Sequence, residues 1–339
     1  MTTELASPDR TAAYLEVQRA VAALAVLLTE SSVEAATVQW AGLAALSDAE
    51  SSATAIIDPE ALLLVSLWLM PRAPTMHATV HDWVAKWSDL LSVQRTRNIA
   101  KSFSPQTQHE LRAVAVTAHE RGKDFRWLPV VKGTGEAASP GARAEGPDPR
   151  GVDTRLPYGA SRLPVERDAL LVLRFRMAFG VGARADALAY LLARGAEWST
   201  VTEIAQATGY TPSAIRRALD RMAEASIVLT VDDGTTRFRC DHTPWGALLG
   251  LTTPVEPWRY WLQHFTFVAS FVEWADTVAR RKLTSYAILE GLRSVARAFR
   301  PTDDRDALRA WDHAFRDGST FDEMEAAINA IASGLLHQV

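Results

Sequence analysis

The stretch from residue 200 to residue 240, TVTEIAQATGYTPSAIRRALDRMAEASIVLTVDDGTTRFRC, carries the strongest local signals in the chain. Thr200 precedes an apolar helical pattern and offers a cap for its first amides. Gly209 marks a reversal, because glycine adopts a left-handed conformation at little steric cost. Thr211 supplies a second N-cap, and Pro212 suits a first helical position, where no amide donor is needed. The spacing predicts two short helices joined by a tight turn.

The second of these helices has two chemically different faces. Ile215, Leu219 and Met222 recur at helical spacing and predict a buried face. The opposite face is polar and carries Ser213, Arg216, Arg217, Asp220 and Arg221. Farther along, two apolar-rich runs flank Asp232-Asp233-Gly234, which predicts a β-hairpin.

This pattern resembles the winged helix-turn-helix family of bacterial transcriptional regulators. The resemblance rests on Ile204-Ala205, Gly209, Ile215, Leu219 and the hairpin after Ser226, and it covers residues 180–240. The segment before the two predicted helices, FGVGARADALAYLLARGAEWS, is similar to the first helix of that family. The resemblance implies a mainly α, multi-helical protein with a central winged helix-turn-helix that carries a small β-hairpin wing.

The same resemblance implies a DNA-binding transcriptional regulator in which residues 211–222 read the major groove. An α-helix fits that groove, and residues near its start reach base edges. Arg216 or Arg217 would bind guanine or grip phosphate, while the hairpin arginines would reach an adjacent backbone or minor groove. The implied DNA-binding residues are Thr211, Ser213, Arg216, Arg217, Arg221, Arg237 and Arg239.

The charge of this stretch leaves a second interpretation open. Residues 196–240 hold five arginines against six acidic residues, a net charge of −1. Asp232 and Asp233 at the hairpin tip would face phosphates unfavourably. Double-stranded DNA is the favoured partner, but a protein-interaction module, such as an antitoxin-like or defence-operon partner that uses the winged helix as a scaffold, remains the alternative.

Charge is distributed unevenly along the rest of the chain. The net charge is −7 for residues 1–92 (4 basic, 11 acidic), +5 for residues 93–132 (8 basic, 3 acidic) and +3 for residues 162–195 (6 basic, 3 acidic). A contact with a polyanion should therefore involve the middle of the chain. The basic helix with Arg95, Arg97 and Lys101 either touches phosphate or, as we favour, forms a polar face packed beside the N-terminal acids.

Composition and periodicity divide the chain into four regions. We expect an N-terminal α-helical domain (1–132), a glycine- and proline-rich linker (133–162), the winged helix-turn-helix (163–252) and a C-terminal helical region (253–339). The first region should begin with helices at 9–29 and 33–46. Asp58-Pro59-Glu60 starts a helix whose run ALLLVSLWLM should be the centre of the N-terminal core. Residues 165–178 alternate partly like a strand and also fit a helix, and the resemblance implies a supporting helix there.

The chain shows no catalytic, phosphate-binding or metal-binding motif, so we expect neither an enzyme nor a cofactor. His77 and His81 are four residues apart, but nothing nearby completes a metal-ligand set. Cys240 is the single cysteine, so no intramolecular disulfide forms. We expect a cytoplasmic protein with no membrane contact that forms a homodimer, with a protein partner as a further possibility.

Overall fold

The computed structural model describes residues 8–46, 53–132, 162–251, 255–281, 283–299 and 305–336. These ranges are mainly α-helical, with fifteen α-helices and one three-stranded antiparallel sheet. The predicted linker, residues 133–162, lies outside the described residues except for its last position. Expectations about the linker therefore stay predictions.

The first part of the chain forms six α-helices. They are α1 (Pro8–Gly42), α2 (Pro59–Leu69), α3 (Met76–Trp87), α4 (Val93–Ala100), α5 (Pro105–Glu120) and α6 (Leu128–Lys132), with single 3₁₀ turns at Ser88–Leu90 and Phe125–Trp127. The Asp58 carboxylate accepts a hydrogen bond from the Ala61 amide at 3.1 Å, which confirms the predicted start of α2.

The prediction of separate helices at 9–29 and 33–46 is wrong, because α1 runs through both without a break. The segment between them contains no glycine or proline to end a helix. Its Thr29 hydroxyl donates to the Ala25 carbonyl within the same helix at 2.7 Å. Ser31 and Ser32 are buried, so this stretch belongs to the core rather than to an exposed connection.

The central part of the chain combines five helices with the sheet. After a 3₁₀ turn at Asp168–Leu170, the elements are α7 (Leu171–Phe179), α8 (Ala183–Ala193), β1 (Ser199–Thr200), α9 (Val201–Thr208), α10 (Pro212–Glu224), β2 (Leu229–Asp232), β3 (Thr236–Arg239) and α11 (His242–Leu249). The strand order is β1-β3-β2, with Ser199 and Thr230 both opposite Phe238. The helical prediction for 165–178 is confirmed from residue 168 onward, whereas residues 165–167 form a turn. The sequence does not predict β1.

The last part of the described chain forms four helices, namely α12 (Trp261–Arg280), α13 (Ser285–Arg297), α14 (Arg305–Ala314) and α15 (Phe321–Leu336). The aromatic stripe of α12 is buried, as its spacing predicts. Phe265 and Phe271 have no exposed surface, and Phe267 stacks on Phe299 at 4.4 Å between ring centroids.

The described residues form two apolar cores. The larger core combines helices from both ends of the chain, and α1 packs against α2, α12 and α15. Every residue of α2 is buried there, which confirms its expected place in the core. The smaller core contains α7 to α10 and the sheet, and its buried side chains include Tyr190, Phe238 and Cys240.

One short segment crosses between the two cores. Ile56 packs in the smaller core and its neighbour Ile57 in the larger one. The Ile56 amide donates to the Pro257 carbonyl at 3.1 Å, and the Ile57 amide donates to the Ala169 carbonyl at 2.8 Å. The Trp261 indole donates to the Ile56 carbonyl at 2.9 Å. This segment therefore ties the first, central and last parts of the chain together immediately before Asp58.

Within α1, residues Leu15–Gly42 form a 28-residue stretch that is long and apolar enough to cross a membrane, judged by length and composition alone. The mean hydropathy of its most apolar window is 1.5, and 39% of that window is buried against the rest of the protein. This property is also found in core helices of soluble proteins and in signal sequences. The finding leaves the expected cytoplasmic location a prediction.

The stability of this core should fall in mild acid because of His264 on α12. Burial lowers the pKa of His264 from 6.5 to about 4; the hydrogen bond from its ring to the Tyr260 carbonyl opposes this effect and nearby Arg259 adds to it. Since the folded-state pKa is depressed, the stabilisation is complete above pH 6.5 and is lost as the pH falls towards 4. Urea unfolding at pH 7 and pH 5 should show His264→Gln losing less stability than the wild type, by on the order of 1 kcal/mol. An identical loss in both proteins would contradict this assignment.

Candidate nucleic-acid interface

The turn between α9 and α10 is built by local hydrogen bonds that the sequence predicts. Thr200 and Glu203 form a reciprocal capping box at the start of α9: the Thr200 amide donates to the Glu203 carboxylate at 2.7 Å, and the Glu203 amide donates to the Thr200 hydroxyl at 3.2 Å. Gly209 ends α9 in the left-handed conformation, with φ of +70°. Thr211 then caps α10 by accepting from the Ala214 amide at 3.3 Å.

The two faces of α10 separate as expected. The buried face contains Ile215, Ala218, Leu219 and Met222 and packs against α8 and α9. The other face is open to solvent, and five of the seven predicted DNA-binding residues lie along it: Thr211, Ser213, Arg216, Arg217 and Arg221. This exposed face, defined by those five residues, is called the α10 face below.

The arginines of the α10 face differ in their surroundings. Arg221 pairs with Glu224 at 3.0 Å. The Arg216 guanidinium lies 5.7 Å from the centre of the Phe238 ring, which connects α10 to β3. The Arg217 Nε donates to the Ser213 carbonyl at 3.4 Å. Among the described residues, Arg216 and Arg217 form no ion pair, so their charge is available to an outside partner.

The two predicted hairpin arginines are held more firmly by the protein itself. Arg237 forms an ion pair with Asp233 at the hairpin tip. Arg239 lies over the Trp198 ring at 4.8 Å from the ring centre. The hairpin therefore presents less unpaired positive charge than its two arginines suggest, because Asp233 neutralises Arg237.

Behind the turn lies a cluster of five buried charged side chains, Asp58, Glu60, Arg95, Arg176 and Asp186, which we call the buried charge cluster. Arg95 on α4 donates to both oxygens of Asp58, at 2.6 and 2.5 Å, and also bonds Glu60. Its Nε donates to the Thr208 carbonyl at the end of α9, at 2.5 Å. Arg95 thus joins the first part of the chain directly to the α9–α10 turn.

Arg176 on α7 forms the other half of the cluster. It donates to Glu60 at 2.6 and 2.9 Å and to Asp186 on α8 at 2.8 and 2.6 Å. Its Nη1 also donates to the Leu90 carbonyl at 2.9 Å. Glu60 lies between the two arginines and accepts in addition from the Ser92 amide at 2.6 Å. Glu60 is therefore the common partner of both guanidinium groups.

The protonation state of Glu60 follows from these contacts. Burial alone raises the pKa of a carboxyl group, but Arg176 and then Arg95 outweigh that effect and lower the pKa of Glu60 from 4.5 to about 2. Burial lowers the pKa of Arg95, whereas Asp58 and Glu60 raise it above its ordinary value. Both groups remain charged at neutral pH, so the cluster is a network of ions.

Glycine is favoured at position 209 by the backbone conformation of the turn and by the close side chains around it. The positive φ of Gly209 favours glycine, and a Cβ atom there would lie 2.9 Å from Leu262 Cδ2 and 3.4 Å from Arg95 Nε. The Gln263 side chain bonds the Gln206 carbonyl beside it. Helix α12 and Arg95 therefore support the turn from below, which leaves the α10 face on the outside.

The two histidines considered in the sequence lie together on α3. The rings of His77 and His81 stack at 4.3 Å between centroids, and His81 Nδ1 lies 2.6 Å from the Thr117 hydroxyl. In the described part of the chain no group of three or more His, Cys, Asp or Glu side chains is arranged to hold a metal ion. Burial and the neighbouring His77 lower the pKa of His81 to about 4.

The sequence anticipates the α10 face but not the buried charge cluster. The favoured interpretation of the basic helix places it beside the N-terminal acids, and Arg95 does pair with Asp58 and Glu60. However, Arg95 is buried, not part of a solvated polar face. One available signal was Arg176, a charged residue on the apolar helix α7, since such residues are seldom buried without a partner.

Removing the shared carboxylate should strongly destabilise the protein. Glu60→Gln replaces a carboxylate oxygen that accepts from a guanidinium with an amide nitrogen that can only donate, so N–H groups of Arg95 and Arg176 stay buried without an acceptor. We therefore expect a loss of roughly 3–5 kcal/mol in the free energy of unfolding. The control is Asp82→Asn, which breaks the exposed pair of Asp82 with Arg121 and should cost less than about 1 kcal/mol. Urea unfolding at pH 7 measures both, and a similar small loss in the two variants would show that the cluster does not hold these helices together.

Comparison with protein-family models, with curated proteins and with solved structures finds no match to this chain. The assignment of a function therefore depends on the residues and their geometry alone. The geometry that matters is an exposed helix face with two unpaired arginines, mounted on a turn that a buried ionic network holds in place.

Proposed function

We propose that this protein is a DNA-binding transcriptional regulator whose residues 183–239 form a winged helix-turn-helix. The support for the fold is the element order α8-β1-α9-α10-β2-β3, with β3 between the other two strands. In this proposal α9 and α10 are the helix-turn-helix and β2–β3 is the wing. The α10 face is the part that enters the major groove of double-stranded DNA.

The observation that carries the proposal is the pair Arg216 and Arg217 on the α10 face. Both are exposed in the first half of α10, where a recognition helix places its base-reading residues. Each can donate two parallel hydrogen bonds to guanine or to a phosphate. Thr211 and Ser213 at the start of the helix supply hydroxyl groups for the backbone or a base edge.

The support of the turn is consistent with such a role. Recognition needs side chains held in a fixed position, because a loose helix loses entropy when it binds. Arg95 and Leu262 contact the chain at Thr208 and Gly209, one helix turn or less from the α10 face. The α10 face would therefore meet DNA as a rigid surface.

A protein-interaction module is the alternative function, and one surface favours it. Met177, Phe179 and Leu248 are 53%, 54% and 73% exposed at the side of α7 and α11. The Phe179 ring lies 6.4 Å from Trp245 on α11, so the ends of α7 and α11 lie side by side. Such a surface suits a protein partner or a second copy of the chain. A homodimer would match two half-sites of an operator, and a cytoplasmic location accompanies the regulator proposal.

The double variant Arg216→Ala/Arg217→Ala should lose binding to the DNA upstream of the protein's own gene. Removing base-reading arginines costs about 1–3 kcal/mol each, so we expect affinity to fall at least tenfold, with relaxed discrimination between sequences. Fluorescence anisotropy at two salt concentrations measures the affinity and its salt dependence.

The matched control for that experiment is Arg280→Ala/Arg309→Ala, which removes the same charge from exposed positions on α12 and α14. It should bind DNA like the wild type. An equal loss of DNA affinity in both double variants would indicate a general charge effect and would contradict a specific role of the α10 face. No DNA binding by folded wild-type protein would instead favour the protein-interaction alternative.

Neutralising the hairpin tip should strengthen DNA binding. Asp233→Asn removes a charge that would repel phosphates and frees Arg237 from its ion pair. We expect affinity to rise about three- to tenfold at low salt and the salt dependence to steepen by about one phosphate contact. Asp82→Asn, an equal charge change on α3, is the control and should leave the affinity unchanged. An unchanged affinity for Asp233→Asn would mean that the hairpin does not approach DNA.

A further inference from the structure

A basic pocket lies between α4, α5 and α6. Its volume is about 200 Å³. We define the basic pocket by its three cationic residues, Arg97, Lys101 and Arg112, and by the side-chain amides of Gln94, Asn98 and Gln108. No acidic residue of the described chain lines it. Gln94 Nε2 donates to Asn98 Oδ1 at 3.3 Å and Gln108 Nε2 donates to the Phe103 carbonyl at 3.2 Å. The pocket therefore combines a charge of +3 with four amide hydrogens that are left for a ligand.

The periodicity of α4 explains why these groups converge. Gln94, Arg97, Asn98 and Lys101 are spaced three or four residues apart and so share one face of the helix. Arg95 points to the other side, into the buried charge cluster. The same short helix thus uses one arginine to hold the fold and leaves the others facing the basic pocket.

The cations of the basic pocket lack internal counter-charges. Among the described residues, none of Arg97, Lys101 and Arg112 forms an ion pair, whereas nearby Arg121 and Arg126 each pair with an aspartate. Lys101 donates only to the Asn98 side-chain oxygen, at 3.4 Å. Like charges that converge without a counter-charge repel one another, so an anion in the pocket would be stabilised by all three.

The shape of the pocket points to a small ligand. Leu111 and Val130 are buried and form an apolar floor beneath the charged rim. A volume of about 200 Å³ is more than a phosphate group alone fills. The remaining space and the amide side chains suit a compact polar body such as a sugar. A concave site of this size fits such a molecule better than the convex backbone of duplex DNA.

We propose that the basic pocket binds a small phosphorylated metabolite, with Arg97 and Arg112 holding the phosphate group. Arginine is suited to this role because its planar fork bonds two phosphate oxygens at once. Lys101 adds a third charge, and the amides bond the hydroxyl groups of the rest of the ligand. This site is independent of the proposed function, since it uses none of the residues of the α10 face.

The test is calorimetric titration of the full chain with ribose 5-phosphate, inorganic phosphate and ribose, in chloride buffer of constant ionic strength. We expect one saturable site for ribose 5-phosphate, weaker binding of inorganic phosphate and no binding of ribose. In Arg97→Gln/Arg112→Gln the affinity for ribose 5-phosphate should fall at least tenfold. Arg280→Gln/Arg309→Gln, with the same charge change outside the pocket, should bind like the wild type.

Several results of the titrations would reject the proposal. Absence of saturable ribose 5-phosphate binding, or equal losses in both double variants, rejects the site. Tighter binding of inorganic phosphate than of ribose 5-phosphate rejects the metabolite in favour of the free anion. If the pocket variant does not fold, the exposed single variants Lys101→Gln and Arg112→Gln replace it, with a threefold or greater loss expected.

Duplex DNA provides the final distinction. If the pocket variant weakens binding to a non-specific duplex while the wild type does not bind ribose 5-phosphate, the basic pocket is a DNA-backbone contact and the metabolite proposal fails. Conversely, Arg216→Ala/Arg217→Ala should retain full ribose 5-phosphate binding. Failure of the DNA proposal and failure of the pocket proposal therefore give different results.

Discussion

The contacts of Glu60 with two buried arginines are the interaction on which the arrangement of this protein depends. Taking a charged group out of water costs several kcal/mol, and only a complete set of partners compensates for it. Arg95 donates hydrogen bonds from Nε, Nη1 and Nη2, and Arg176 donates from the same three nitrogen atoms. These bonds form only when α2, α4, α7, α8 and the end of α9 are all in place. The cluster therefore favours one arrangement of these helices over looser ones.

This constraint changes how the proposed winged helix relates to the rest of the chain. Domains joined by a linker are expected to move relative to each other when their interface is small and polar. Here Arg95 contacts Thr208 from the far side of the predicted linker, and Ile56 packs in the smaller core. A movement of α9 away from α4 would leave Arg95 without one of its acceptors. The α10 face is thus part of a continuous structure that includes the first helices.

The sequence predicts what depends on neighbouring residues and misses what depends on distant ones. Capping by Thr211, the glycine turn and the hairpin at Asp232-Asp233-Gly234 are local, and each is found where expected. By contrast, the pairing of β1 with β3 joins Ser199 to Phe238 across the whole helix pair. Asp58-Pro59-Glu60 correctly predicts the start of α2, yet Arg176, a main partner of Glu60, is 116 residues away from it. No single-sequence pattern identifies such a pair.

The same distinction explains why summed charge is a poor guide to the candidate site. Residues 93–132 carry a net charge of +5, but Arg95 is buried and Arg121 and Arg126 are paired with aspartates. The unpaired cations of the described chain include the three that line the basic pocket and the Arg216–Arg217 pair on α10. If only a few cations meet phosphate, affinity for DNA depends weakly on salt, at about 0.9 per contact in log units. Discrimination between DNA sequences would then depend mainly on base contacts from α10, because the electrostatic contribution to binding that is common to all DNA sequences is small.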